Sequence, residues 1–121
     1  MTNANPVTIE TIIQRLRDFA SERDWDQFHS PKNLAMALTV EAAELQEIFQ
    51  WLTPEEAAHL DPAQHQHAAE EIADVLLYLL RLSDKLGIDV LDAAVSKMAK
   101  NALKYPVEMA KGSHKKALGA E

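Results

Sequence analysis

The chain has 121 residues, 47% of them apolar, no Cys, and 12 basic against 19 acidic side chains for a net charge of −7. One domain's length with that apolar content supports a packed core, and the missing Cys excludes disulfides, thiolate metal sites, iron–sulfur clusters and a cysteine nucleophile. Acidity disfavours a nucleic acid polymer or an anionic membrane as partner, and three Gly with five Pro are too few for a turn-rich β-sandwich.

Residues 1–7 form an N-terminal extension without the basic start or apolar run of a secretory signal. From Thr8 to about Arg23, Ile9, Ile12, Ile13, Leu16, Phe19 and Ala20 recur at helical spacing and predict a first amphipathic helix. The polar stretch Asp24 to Ser30 interrupts it and carries Trp25, Phe28 and His29. Ser30 as N-cap and Pro31 at the first helical position start a second helix, expected to reach Leu52. Thr53-Pro54-Glu55-Glu56 reads as a capping box that opens a turn or short helix ending near Asp61-Pro62. A third long helix should cover about Pro62 or Ala63 to Leu86 with Gly87 as its stop, and Asp89 should restart a fourth that runs to about Lys104. Tyr105-Pro106 disfavours further helix, and residues 107–121 read as a basic flexible tail.

Four helices with short connections predict an all-α four-helix bundle over residues 8–106. The third is apolar around most of its circumference between Val75 and Leu82, so an oligomer is expected. The run Val75 to Leu80 is far too short to cross a bilayer. A cytoplasmic protein is the expectation, since a chain without Cys suits a reducing compartment.

On a wheel of about 100° per residue, Leu34, Leu38, Leu45, Phe49 and Leu52 form the core stripe of the second helix, and Glu41 falls inside it. Glu44 lies one turn on, flanking the core. An ionised carboxylate in a core costs several kcal/mol unless it is paired or bound to a metal. The third helix repeats the feature with Glu71 and Asp74, and Tyr78 continues that face. Four carboxylates from two helices make an oxygen-only cage suited to Mg²⁺, with Mn²⁺ as a substitute. The alternative is that these acids pair with Lys or Arg inside a non-catalytic interaction module. Glu47 points towards solvent on the wheel, whereas Glu70 remains ambiguous beside Glu71. A di-iron site would need Glu-x-x-His pairs on two facing helices, and the only such spacing, Glu56 to His59, lies in the connection.

Charge is divided along the chain. Residues 1–96 carry 6 basic and 17 acidic side chains, whereas residues 97–121 carry 6 Lys against Glu108 and Glu121. Lys97, Lys100, Asn101 and Lys104 share one face of the fourth helix, a fit for phosphate oxygens. Trp25, His29 and Trp51 flank the second helix and suit either a core or a nucleobase sandwich.

Glu41-x-x-Glu44 and Glu71-x-x-Asp74 on consecutive long helices resemble the MazG-like all-α nucleotide pyrophosphohydrolases. The segments from Glu22 to His29, Phe49 to Trp51, Glu71 to Tyr78 and Ser96 to Pro106 resemble its dCTP pyrophosphatase branch. The resemblance implies Mg²⁺-dependent conversion of a nucleoside triphosphate, dCTP or a modified dCTP foremost, to the monophosphate and pyrophosphate. It implies Glu41, Glu44, Glu71 and Asp74 as metal ligands, Trp25, His29 and Trp51 around the base, and Tyr78 against the substrate. Lys97 and Asn101 match positions facing sugar and phosphates, and the branch forms homotetramers. Leu16 stands where animal members carry a base-contacting His, which leaves the choice among cytosine nucleotides open.

Overall fold

The computed structural model describes residues 6–114 and divides into two compact units, one ending at Gly87 and the other starting at Ile88. No strand occurs among the described residues, and the chain is all-α.

The first unit holds α1 (Ile9–Glu22), α2 (Pro31–Phe49), the short α3 (Pro54–Ala58) and α4 (Pro62–Lys85). Each start has a local cause. The side chains of Thr8, Ser30, Thr53 and Asp61 accept hydrogen bonds from backbone N–H groups of the first turn of α1, α2, α3 and α4 respectively. In α3 the bond is reciprocal, because Glu56 accepts from the Thr53 N–H at 2.9 Å. Gly87 stops α4 with φ +67°, a left-handed conformation that only Gly adopts without strain. Between α1 and α2, Asp26–Phe28 form a single 3₁₀ turn that carries the chain from Trp25 to His29.

The second helix ends at Phe49, earlier than the expected Leu52. Pro54 disfavours a helical Thr53, and Thr53 must be extended to cap α3, so the preceding residues turn instead. The Leu52 N–H then bonds to the Phe49 carbonyl at 2.9 Å, and Trp51 falls in that turn.

The principal helix pair of this unit is α2 against α4, with α1 lying on α4. Leu34 and Leu80 are each only 1% exposed, and Ala20 and Ala68 complete a small core. The rest of the α2 stripe, Leu38, Leu45, Phe49 and Leu52, is half-buried. Met36, Val40, Ile72, Leu76 and Leu79 lie exposed on α2 and α4.

The second unit contains α5 (Val90–Lys104), capped by Asp89, and α6 (Val107–Ala110). Leu91, Val95, Met98 and Leu103 of α5 are exposed. The short α6 stands where no helix was expected. Pro106 ends α5, yet its fixed φ also suits the position before a new helical turn. The last part of the expected tail, residues 115–121, lies outside the described residues. No described helix is long and apolar enough to cross a membrane.

Candidate active site

Glu41 and Glu44 on α2 meet Glu71 on α4, with one carboxylate oxygen from each lying within 4.8 Å of the others. The i, i+3 spacing puts the first two on one face, and the α2–α4 packing brings the third across. Glu41 Oε2 and Glu71 Oε2 are buried without a hydrogen-bond partner. Burial, followed by a hydrogen bond to Glu44 and the charges of Glu44, Asp74 and Glu71, pushes the Glu41 carboxyl up to about 7. Glu71 is raised as well, first by burial and then by Glu44 and Asp74, against a smaller opposing pull from His67.

Asp74 acts on both groups through its charge but stands outside the group of three. It lies one turn along α4 and faces a neighbouring cleft. Among the described residues no Lys or Arg forms an ion pair with Glu41, Glu44, Glu71 or Asp74. The one basic side chain paired with them is His67, whose Nε2 is 3.3 Å from Glu71 Oε1. Among the described residues these four acids thus lack the Lys or Arg pairs that a non-catalytic interaction module would use. Glu47 is exposed, and Glu70, also exposed, accepts from Gln66 Nε2 at 3.3 Å. The ambiguity at Glu70 resolves towards solvent.

The cleft has a volume of about 200 Å³. Its walls are Leu16 and Phe19 of α1, Trp25 and His29 of the connection, and Asp74, Leu77, Tyr78 and Arg81 of α4. Phe19 and Trp25 meet edge to face with centroids 5.6 Å apart, and Trp25 meets His29 likewise at 6.4 Å. The Arg23 guanidinium covers the Phe19 ring at 3.6 Å. Trp25, His29, Tyr78 and Asp74 are thus brought together in one cleft. Trp51 is not: it is 87% exposed and lies outside the cleft. Lys97 and Asn101 are exposed on α5, in the other unit.

The model of the MazG-like family matches residues 36–118. The chain belongs to the MazG-like family. It is 42% identical to dCTP pyrophosphatase 1 of Mus musculus over 108 residues, 88% of this chain and 64% of that protein. The human protein of the same name gives 42% over 111 residues, 90% of this chain and 65% of that protein. The chain therefore spans just under two thirds of the curated relatives it matches. A crystal structure of a pyrophosphatase from Archaeoglobus fulgidus superposes with a TM-score of 0.78 at 40% identity, covering 88% of this chain and 99% of that one.

This MazG-like chain also holds a charged network that the sequence reading missed. Arg17 of α1 grips Asp84 through Nε at 2.8 Å and Nη2 at 2.5 Å. Arg81 Nη2 donates to Asp26 Oδ1 at 2.7 Å, and Lys85 Nζ donates to the same oxygen at 2.5 Å. These cations hold both carboxyls below their ordinary range, Lys85 acting most strongly on Asp26 and Arg17 on Asp84. The available signal was Arg81 itself, a cation inside the apolar run from Val75 to Leu82, which breaks its pattern as Glu41 does on α2.

Proposed function

We propose that the protein is a Mg²⁺-dependent nucleoside triphosphate pyrophosphohydrolase that converts dCTP, or a modified dCTP, to the monophosphate and pyrophosphate in nucleotide-pool house-cleaning. The observation that carries this reading is the pair of orphaned buried oxygens, Glu41 Oε2 and Glu71 Oε2, in a cluster of acids without lysine or arginine partners among the described residues. Such oxygens are costly unless something cationic satisfies them, and all-oxygen donors fit Mg²⁺ or Mn²⁺. Glu41, Glu44 and Glu71 would hold the cation, with Asp74 completing the set beside the cleft. When bound, the cation supplies charge neutralisation for the four acids and for the triphosphate.

The other roles fall to the protein's own groups. Trp25 and Tyr78 line a cleft whose flat walls suit a nucleobase. Hydrolysis adds water to a phosphorus and releases pyrophosphate, and the attacking water must lose a proton. Glu44 is the better placed acceptor for it, because Glu47 is exposed and absent from the cluster. Lys97 and Asn101 would face sugar and phosphates, as their match to the family pattern implies. The exposed apolar residues of α2, α4 and α5 support a homotetramer, in which the exposed Trp51 would reach a base held by another subunit. A house-cleaning enzyme of this kind works on the cytoplasmic nucleotide pool. The test is a panel of ordinary and modified dNTPs with and without Mg²⁺, with products resolved. dCMP and pyrophosphate from dCTP, only with the cation, is the expected result. Release of orthophosphate, or turnover unaffected by chelation, would overturn the reading.

A further inference from the structure

Arg81 is the one Arg or Lys side chain withdrawn from water among the described residues, 6% exposed on α4. Its Nη2 donates to Asp26, its Nη1 lies 3.6 Å from Asp84 Oδ2, and its Nε donates to His29 Nδ1 at 3.1 Å. The two carboxylates each have a second cation, Lys85 and Arg17 respectively. The His29 contact is the one that charge balance does not require. An arginine N–H can only donate, so His29 Nδ1 must present its lone pair. A neutral imidazole with a lone pair on Nδ1 carries its proton on Nε2. Burial, then the charges of Arg81 and Lys85, lower the proton affinity of His29 against a weaker pull from Asp26, which favours the neutral ring that the Arg81 contact requires. Among the described residues no other hydrogen bond engages that ring, and His29 lines the cleft beside Leu16, Trp25 and Tyr78.

We propose that Arg81 is a positioning residue that fixes His29 as its Nε2–H tautomer, so that the cleft offers its ligand one defined donor between aromatic and aliphatic walls. The ligand chemistry this selects is a flat ring with an acceptor on its edge, a carbonyl oxygen or an unprotonated ring nitrogen. A pyrimidine such as cytosine carries both. The inference rests on the reading of the cleft as a nucleobase site and adds the atom that reads the base.

Arg81→Met keeps the length of the side chain and strands neither carboxylate, because Asp26 retains Lys85 and Asp84 retains Arg17. Arg81→Lys keeps the charge and removes the Nε–H. Long-range ¹H–¹⁵N NMR of protein labelled at histidine reports which ring nitrogen is protonated, and His29→Asn identifies the signal. Without nucleotide at pH 7, the wild type should show a proton on Nε2 and a bare Nδ1, and both Arg81 variants should show averaged tautomers. A non-hydrolysable dCTP analogue should shift the Nε2–H signal of the wild type. Both variants should raise KM for dCTP by about tenfold, the value of one hydrogen bond, and leave kcat within about twofold. A wild-type proton on Nδ1, or an unchanged tautomer in either variant, overturns the assignment of Arg81. Turnover of dCTP with an unmoved His29 signal overturns the donor role alone. Absence of turnover with every dNTP overturns the pyrophosphohydrolase reading, and the tautomer in nucleotide-free protein still decides whether Arg81 sets the ring.

Discussion

Two charged regions lie along α4, and they are built on opposite principles. Towards its middle, Glu71 joins Glu41 and Glu44 with no arginine or lysine partner among the described residues and two buried oxygens unsatisfied. Near its end, Arg81, Asp84 and Lys85 interlock with Arg17 and Asp26, so that each carboxylate has two cations within 4 Å. The second region is complete within the chain and holds α1 and the Asp26 turn against α4. The first is incomplete, and its raised carboxyls record the cost. The difference lies in how charge is compensated and not in how much of it there is, since both regions are rich in acids.

Neutral variants give the largest contrast. Glu41→Gln or Asp74→Asn should lower kcat/KM by at least about a hundredfold, because even groups that merely support metal ligands cost ten- to a hundredfold when lost. Near wild-type activity in both would break the distinction between the two regions. Stability should move in opposite directions. Glu71→Gln removes a repelled, half-buried charge and should raise the Tm of metal-free protein. Asp84→Asn removes the negative charge facing Arg17 and one of its two acceptor oxygens, and should lower Tm by roughly 5 °C, as expected for loss of a solvent-screened pair in a small domain. Thermal scans of both variants in chelator check this, and a shared sign would erase the contrast.

The pH dependence sharpens it further. Glu41 is raised from its ordinary 4.5 to about 7, so the folded protein holds that proton more tightly than the unfolded chain between those values. Metal-free stability should therefore fall as pH rises through this window. Asp26 and Asp84, both lowered, contribute stability that is present above the ordinary aspartate value of 3.8 and lost as pH falls through their folded values. Metal-free Tm measured from pH 3 to 8 should pass through a maximum on the acid side of neutrality. The smallest effect is expected at Arg17, whose side chain is 52% exposed. Arg17→Ala should change Tm less than Asp84→Asn, because Asp84 keeps Arg81 nearby.

Much of this was written in local sequence. Ser30, Thr53 and Asp89 announce helix starts because a short polar side chain satisfies first-turn N–H groups without help from the rest of the fold. Glu41 was legible because it breaks an otherwise apolar stripe. Arg81 breaks a run too, but α4 is apolar on most sides there, so no single stripe made the intrusion visible. Its partners Asp26 and His29 lie more than 50 positions away, beyond any periodicity argument. The end of α2 was misplaced because Leu52 continues the apolar pattern while the backbone obeys Thr53-Pro54. Pro106 can close one helix and open another, and only the structure shows that it does both.

The most direct test of the uncompensated acid cluster as a cation site is a Mg²⁺ titration of thermal stability at pH 8, on wild type and on a Glu41→Gln, Glu71→Gln double variant. The wild type should gain several °C in a saturable rise, while the double variant starts higher and does not respond. A wild type unmoved by Mg²⁺, or an equal rise in both proteins, would contradict it.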